Sequence, residues 1–202
     1  SFIEERYIKT AISGAVMAGG RSSRLGVNKA FLKFHGRPGI ELLLEKVAAL
    51  VSPVTIITNS PAEFKYLTIA AAPDIRPGCG PLSGIHAALS LSPTEYVLVV
   101  SCDLPLLTPH LLRTLLAGCP GYDITLYKHE LFEPLCAVYR RTCLPALEEL
   151  IDHGEYRSID LFPTLNVKVI RTEQNDAFQS INTPEDYERL REKYEKGFGT
   201  RD

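Results

Sequence analysis

A glycine-rich, cationic stretch follows the first apolar run of the sequence. Met17 and Ala18 end that run, and the chain continues G-G-R-S-S-R-L-G-V-N-K from Gly19 to Lys29. Glycines let a backbone approach a ligand closely and leave its N–H groups uncovered, while arginine and lysine add positive charge. Such a loop suits phosphate groups. Its spacing matches neither the dinucleotide fingerprint nor the P-loop, and the alternative is a surface turn whose cations are solvated.

A single carboxylate follows the most apolar run of the chain. That run is Tyr96 to Val100, and S-C-D-L-P comes directly after it, with the carboxylate at Asp103. In an open α/β sheet, a carboxylate just beyond a strand can hold a hard cation such as Mg²⁺ beside phosphate oxygens. Because Asp before Leu-Pro is also common turn chemistry, turn capping is the alternative. The cationic loop nearby favours metal binding.

The elements that must position these residues are predicted to alternate between strands and helices. Apolar positions at i, i+3, i+4 and i+7 predict a helix from about residue 40, and Thr108-Pro109 and Thr183-Pro184 are typical helix starts. The remaining helices are expected at 60, 82–91 and 142–151, and strands at 12–17, 54–58, 69–72, 96–100, 123–127, 135–139 and 167–171. We expect the Pro- and Gly-rich segment 72–84 to be irregular. The pattern predicts a doubly wound, mostly parallel α/β sheet of Rossmann-like type, with helices on both faces.

Composition narrows the class of protein. A chain of 202 residues with 45% hydrophobic and 23% charged residues predicts one globular domain, with flexible ends at 1–10 and 197–202. A net charge of −2 argues against broad capture of nucleic acid, and the sequence has no apolar stretch that predicts a membrane span. Five cysteines without a C-x-x-C pair favour the cytoplasm. The five histidines have no zinc-ligand spacing, so we interpret them as structural or solvent-facing.

The glycine-rich stretch resembles a known signature. The pattern A-G-G-x-S-x-R-x-G-x-x-K is typical of the molybdopterin guanylyltransferases, a family of nucleotidyltransferases. Three further motifs match in order: G-P-L-x-G from Gly80, C-D-x-P from Cys102 and N-T-P-E from Asn182. The resemblance extends from residue 13 to about 191. Met17 and Leu25 stand where the family commonly has leucine and methionine, which keeps an apolar side chain in both places.

The resemblance implies a nucleotidyltransferase fold, GTP as donor, Mg²⁺ as cofactor and molybdopterin or its molybdenum-loaded form as acceptor. GMP would be transferred to the terminal phosphate of the pterin, with release of pyrophosphate. Proteins that deliver or receive the cofactor are possible partners. The residues implied are, for catalysis, Lys29, Asp103 and Arg24; for the nucleotide, Met17, Ala18, Gly19, Gly20, Lys29, Asn59, Asp74, Gly80 and Asp103; for the acceptor, Arg157 and Asn182; and for the metal, Asp103.

Three questions stay open at this point. The second-strand contact to the nucleotide is either Ile57 or Asn59. A cytidylyltransferase acting on molybdopterin or another phosphorylated metabolite would keep Lys29 and Asp103, although such relatives usually carry A-A-G where this chain has A-G-G. A nucleotide-binding sensor without turnover is the third alternative. In the family, the motif that contains Asn182 faces the pterin. We therefore expect Asn182→Ala to leave GTP binding nearly intact.

Overall fold

The apolar runs of the sequence form a central sheet. The computed structural model describes residues 11–19 and 26–198. In chain order the strands are β1 (Ile12–Met17), β2 (Lys33–Phe34), β3 (Arg37–Pro38), β4 (Val54–Ile57), β5 (Ala70–Ala72), β6 (Tyr96–Ser101), β7 (Ile124–Lys128), β8 (Phe132–Arg140) and β9 (Val167–Arg171). The α-helices are α1 (Gly39–Leu50), α2 (Pro81–Leu91), α3 (Pro109–Gly118), α4 (Leu144–Asp152) and α5 (Pro184–Glu195).

The sheet is mostly parallel, as the sequence predicts. Its strand order is β5-β4-β1-β6-β8-β7-β9, and β2 and β3 form a separate two-stranded hairpin. Strand β1 runs parallel to β4 and β6, β4 parallel to β5, and β7 parallel to β9. Strand β8 is antiparallel to both β6 and β7, which confirms the predicted ribbon between the segments near 123–127 and 135–139.

Helices cover both faces of the sheet. Alternate side chains of β6 enter two separate hydrophobic clusters, Leu98 and Val100 in one and Val97 and Val99 in the other. The first cluster contains the buried faces of α1 and α3, and the second contains those of α2 and α4. Strand β6 is apolar on both faces because helices bury both faces of the sheet. The doubly wound α/β architecture is confirmed.

Two local predictions are wrong. Helix α2 begins at Pro81, inside the segment expected to be irregular, because Gly80 adopts φ 57° and turns the chain before Pro81 takes the first helical position. The helix expected near residue 60 is only a 3-10 turn, Pro61–Phe64, and no hydrogen bond from the Ser60 side chain caps it. Phe64 is its one buried side chain, so the segment has no apolar face that would extend a helix.

Shorter irregular elements were also not anticipated. Single 3-10 segments span Lys29–Phe31, Arg141–Cys143, Ser158–Thr164 and Asn175–Phe178. The segment at Arg141 means that α4 starts two residues later than the predicted 142. The elements from β1 to α5 pack on the sheet or on its covering helices, which supports the proposal of a single domain.

The chain ends fall mostly outside the described residues. Flexible ends were predicted at 1–10 and 197–202, and of these the structure does not describe 1–10 and 199–202. Gly197 and Phe198 still belong to the end of α5, since their N–H groups donate to the carbonyls of Tyr194 and Lys193 at 2.9 and 3.1 Å. Among the described residues, the helices are too short or too polar to cross a membrane.

Candidate active site

The predicted ligand-binding segments meet at the carboxyl edge of the parallel strands. Met17, the last residue of β1, pairs with Ile57 of β4 on one side and Ser101 of β6 on the other, so the three strands end at the same level. The backbone hydrogen bonds of the sheet continue one residue further. Ala18 N–H donates to the carbonyl of Ile57 at 2.9 Å, and Cys102 N–H donates to the carbonyl of Met17 at 3.0 Å. Residues that follow these strands therefore line one crevice.

A lysine, a carboxylate and an amide meet at the centre of this edge. The ammonium of Lys29 donates to Asn182 Oδ1 at 3.0 Å and lies 3.9 Å from Asp103 Oδ2. The side chains of Lys29 and Asp103 keep 16% and 27% of their surface exposed, so both remain open to a ligand. We call Lys29, Asp103 and Asn182 the central triad.

The position of Asn182 changes one expectation from the sequence. Ile181 N–H donates to the carbonyl of Asp103 at 3.0 Å, which ties the chain before Asn182 directly to the carboxylate segment. The adjacent start of α5 is rigid, because Thr183 and Asp186 form the reciprocal hydrogen bonds of a capping box, as the sequence predicts for Thr183. Since Asn182 contacts Lys29, its replacement is now expected to affect the nucleotide as well as the acceptor.

A small apolar cluster lies under the triad. Its buried members are Phe34, Leu106, Ile181, Leu190 and Tyr194, and we call it the small core. Phe34 follows Lys29 along the chain, Leu106 follows Asp103, and Ile181 precedes Asn182. The three chain segments of the triad are thus packed together by neighbours of the functional residues.

A buried lysine adjoins the small core. Lys46 Nζ donates to the carbonyl of Leu107 at 2.9 Å and lies 5.4 Å from the centroid of the Tyr194 ring. Burial lowers the pKa of Lys46 to about 8, because the charged ammonium loses hydration among apolar side chains. Lys46 therefore links α1 to the segment after Asp103 and to α5.

On one side of the triad, Asn59 and Asp74 form a reciprocal pair. Asn59 Nδ2 donates to Asp74 Oδ2 at 3.0 Å, and Asp74 N–H donates to Asn59 Oδ1 at 3.3 Å. They follow the carboxyl ends of β4 and β5. Ile57 is buried within β4 with 2% exposure, whereas Asn59 is exposed. This geometry favours Asn59 as the second-strand contact to the nucleotide.

The N-terminus of α2 faces the same part of the edge. Gly80 precedes it, and its first-turn N–H groups with the helix dipole favour an anion there. A Cβ on Gly84 would lie 2.0 Å from Met17 Cε and 3.8 Å from Asp74 Oδ1. Gly84 thus makes room for Met17 beside Asp74, which brings three residues of the predicted nucleotide set (Met17, Asp74 and Gly80) into one region.

Other predicted residues are not joined to the triad by any described contact. The Arg157 side chain is 73% exposed and pairs with Asp160, donating from Nε at 3.1 Å and from a terminal nitrogen at 2.8 Å. That hydrogen-bonded carboxylate raises the pKa of the Arg157 guanidinium. Gly20 and Arg24 lie outside the described residues. Their roles stay predictions.

Sequence reasoning missed one further pair of side chains, His129 and Glu133, near Asp103. His129 Nε2 lies 2.5 Å from Glu133 Oε1, across the turn between β7 and β8. Burial is the main cause that raises the pKa of Glu133, and the negative charge of Asp103 adds to it. The ring of His129 stacks on Phe178 with centroids 5.3 Å apart. Only the pairing of the two strands places these side chains together, so their spacing in the sequence carries no signal.

The chemistry of the triad fits a hard cation held together with a substrate. Carboxylate and amide oxygens are the ligands that Mg²⁺ prefers, and it usually takes one or two carboxylates plus phosphate oxygens. The described part of the chain contains no group of three or more His, Cys, Asp or Glu side chains arranged as a metal cage. Asp103 therefore fits a cation that a substrate phosphate completes better than a fully protein-bound one.

Comparison with known proteins agrees with the fold. Residues 14–167 match the model of the MobA-like NTP transferase domain. A protein of Carboxydothermus hydrogenoformans named as a probable molybdenum cofactor guanylyltransferase is 36% identical over 185 residues, covering 87% of this chain and 93% of its own. One of the same name from Clostridium perfringens is 37% identical over 196 residues, covering 91% and 98%.

A solved structure is also similar. The molybdopterin-guanine dinucleotide biosynthesis protein A of Archaeoglobus fulgidus superposes with a TM-score of 0.79 at 27% identity, covering 91% of this chain and 99% of its own. The doubly wound sheet, with a lysine and an aspartate at its carboxyl edge, defines a nucleotidyltransferase. The chain belongs to the MobA-like NTP transferase family.

Proposed function

We propose that this enzyme transfers GMP from GTP to the terminal phosphate of molybdopterin or its molybdenum-loaded form and releases pyrophosphate. The observation that carries the proposal is the central triad, in which Lys29, Asp103 and Asn182 meet between two differently built halves of the crevice edge. The curated relatives that match most of the chain carry the name molybdenum cofactor guanylyltransferase. That name agrees with the proposed transfer of GMP.

The donor nucleotide is assigned to the half of the edge formed by β1, β4 and β5. The Asn59–Asp74 pair and the N-terminus of α2 lie there, and β1 ends at Met17, just before the glycine-rich sequence. The side-chain amide and carboxylate of the pair offer hydrogen bonds to sugar or base, while helix N–H groups favour phosphate. Lys29, which follows the loop, reaches the centre of the edge.

The proposed cofactor is Mg²⁺ on Asp103. When bound, it supplies charge neutralisation at phosphate oxygens. Lys29 adds a second positive charge, 3.9 Å from the carboxylate, which favours the extra negative charge that develops as the α-phosphorus is attacked. Asn182 holds the ammonium of Lys29 in place by accepting its hydrogen bond.

The acceptor needs little activation by the protein. A phosphate monoester is already an anionic nucleophile near neutral pH, so the reaction does not require a general base. The contribution of the chain is then alignment of the two substrates for in-line attack, together with electrostatic stabilisation. The proposal places this reaction in the cytoplasm, with proteins that deliver molybdopterin or receive the product as partners.

Turnover with each nucleoside triphosphate tests the proposal. The enzyme is incubated with molybdopterin, Mg²⁺ and GTP, CTP, ATP or UTP in turn, and pyrophosphate and the dinucleotide product are measured. We expect transfer with GTP alone. A preference for CTP would replace the proposal by a cytidylyltransferase, and tight GTP binding without pyrophosphate release would favour a nucleotide sensor.

A further inference from the structure

The half of the edge beyond Asp103 holds a carboxylate without an assigned role. Strands β6 and β8 are antiparallel, with Val100 opposite Cys136, so the first residues of β8, Glu133 among them, extend beyond the end of β6 at the edge where Asp103 follows that strand. The Glu133 side chain is 17% exposed and the His129 side chain 13%, so both are largely buried and still meet solvent. The influence of the Asp103 charge on Glu133 agrees with this proximity.

The Glu133 carboxylate is held in place by His129 and keeps hydrogen-bond acceptor positions for a ligand. His129 approaches Oε1 at 2.5 Å, and in the described part of the chain Oε2 has no hydrogen-bond partner. A carboxylate offers about four acceptor positions on its two oxygens, so Oε1 can also accept a second hydrogen bond. The stacking of His129 on Phe178 fixes the orientation of the pair. An oriented, partly desolvated carboxylate matches a ligand that presents two adjacent N–H donors.

The order of the strands indicates which substrate meets Glu133. The residues assigned to the nucleotide follow β1, β4 and β5, whereas Glu133 lies on β8, on the opposite side of β6. Arg157, the other residue expected at the acceptor, directly precedes the Ser158–Thr164 segment, whose Phe162 packs edge-on against Phe132 at 5.0 Å. Glu133 has no cation partner apart from His129 among the described residues and would repel a phosphate, so the group recognised by this carboxylate is not the anionic end of the acceptor.

We propose that Glu133 is a specificity residue that binds the pterin ring of the acceptor by accepting hydrogen bonds from its 2-amino group and its N3–H. These donors lie side by side on one edge of the ring and match the two carboxylate oxygens. His129 is a positioning residue that fixes the carboxylate. The inference rests on the proposed function, since it takes molybdopterin as the acceptor. Guanine carries a similar pair of donors, and the strand order assigns Glu133 to the pterin.

The first arm of the test compares variants in steady-state transfer. Wild-type turnover with GTP and molybdopterin establishes the proposed function independently. Glu133→Gln should then raise the KM for molybdopterin by about tenfold or more, because an amide NH₂ faces the pterin donors, while kcat and the KM for GTP stay within about twofold. Glu130→Gln, an exposed glutamate of the same turn, is the matched control and should change nothing. His129→Gln should have a smaller effect than Glu133→Gln.

The second arm identifies the donor edge. Pterin and lumazine, which has an oxygen in place of the 2-amino group, are compared as inhibitors of transfer. The wild type should prefer pterin, and Glu133→Gln should lose that preference, while the ratio of activity with GTP to activity with ITP, which lacks the guanine amino group, stays constant. If the GTP to ITP ratio changes instead, Glu133 recognises guanine and the proposal is overturned.

Three other results would also overturn it. These are equal losses for GTP and molybdopterin, an effect of Glu133→Gln no larger than that of Glu130→Gln, or equal inhibition of the wild type by pterin and lumazine. If circular dichroism shows that Glu133→Gln is misfolded, Glu133→Asp replaces it. That variant keeps the charge but draws the carboxylate back, and the same loss of preference for pterin is expected.

Discussion

The donor and acceptor halves of the crevice edge are built in different ways. On the donor side, short segments carry their own chemistry: a glycine-rich loop, a helix that begins with Gly80-Pro81, and a pair of side chains fifteen residues apart, Asn59 and Asp74. At the centre of the edge and beyond it, distant parts of the chain are brought together. Lys29 and Asn182 are 153 positions apart, and Glu133 comes near Asp103 because β8 pairs with β6. The proposed nucleotide site is thus built from local motifs, and tertiary packing assembles the rest of the proposed active site.

Because Asp103 lies where the two halves meet, we expect its replacement to cause the largest loss of activity. Asp103→Asn keeps the size of the side chain and removes its charge, so the fold should survive while transfer slows by at least about a hundredfold, or roughly 2.7 kcal/mol at 1.36 kcal/mol per decade. Single-turnover rates across a Mg²⁺ titration measure this loss. Asp176→Asn, at an exposed aspartate, is the control. Near-normal rates at limiting Mg²⁺ would contradict the metal assignment and leave turn capping as the role of Asp103.

The next largest effect concerns the contact between Lys29 and Asn182. Lys29→Ala and Asn182→Ala should each lower kcat/KM by about thirtyfold, and the double variant should be little worse than Lys29→Ala, because Asn182 acts through the ammonium. GTP affinity should fall in both single variants. Asn175→Ala, at an exposed asparagine, is the matched control. If the losses add fully, or if Asn182→Ala leaves GTP affinity intact, the two residues serve separate substrates.

Lys46, beside the small core, is expected to make the stability of the fold depend on pH. Its pKa is lowered to about 8, so between pH 8 and 10 the unfolded chain binds more protons than the folded one, and the lysine's contribution to stability rises with pH. The free energy of unfolding of the wild type, minus that of Lys46→Met, should increase by about 1–2 kcal/mol from pH 8 to pH 9.5.

Urea unfolding at each pH measures this difference, and taking it between the two proteins removes the contribution of other groups that titrate in the same range. Lys65→Met, at an exposed lysine, should show no such trend. A flat difference for Lys46→Met would mean that the ammonium is hydrated and does not belong to the small core.

The smallest expected effect lies in the donor half. Gly84→Ala should displace the Met17 side chain, whose Cε lies 2.0 Å from the new Cβ, and the flexible methionine should absorb most of the strain. We expect the KM for GTP to rise by about threefold with little change in stability, because alanine also favours the helix. Gly118→Ala, where the nearest side-chain atoms are 3.4 Å away, is the control. An equal rise in the KM for molybdopterin would extend the role of Met17 beyond the donor half.

The predictability of each region follows the range of its contacts. Helix α1 was predicted from its period, and its expected face, with Ile40, Leu43, Leu44 and Val47, is the buried one. The helix start at Thr183-Pro184 was predicted because capping depends on neighbouring residues, and the structure adds that Asp186 completes a capping box. Helix α2 was placed too late, since the positive φ of Gly80 allows a helix to begin inside a segment of glycine and proline. The helix expected at residue 60 failed because only Phe64 is buried there.

The sequence by itself determined the alternation of strands and helices, the residues that end the central strands and the motifs that mark a nucleotidyltransferase. These depend on periodicity and on short-range turn and cap chemistry, which neighbouring residues decide. Only the tertiary structure decided that Asn182 contacts Lys29, that the small core packs the three segments of the triad together, and that Glu133 lies near enough to Asp103 to feel its charge. Such contacts depend on strand order and register, and burial of both sheet faces fixes these only when the whole chain is folded.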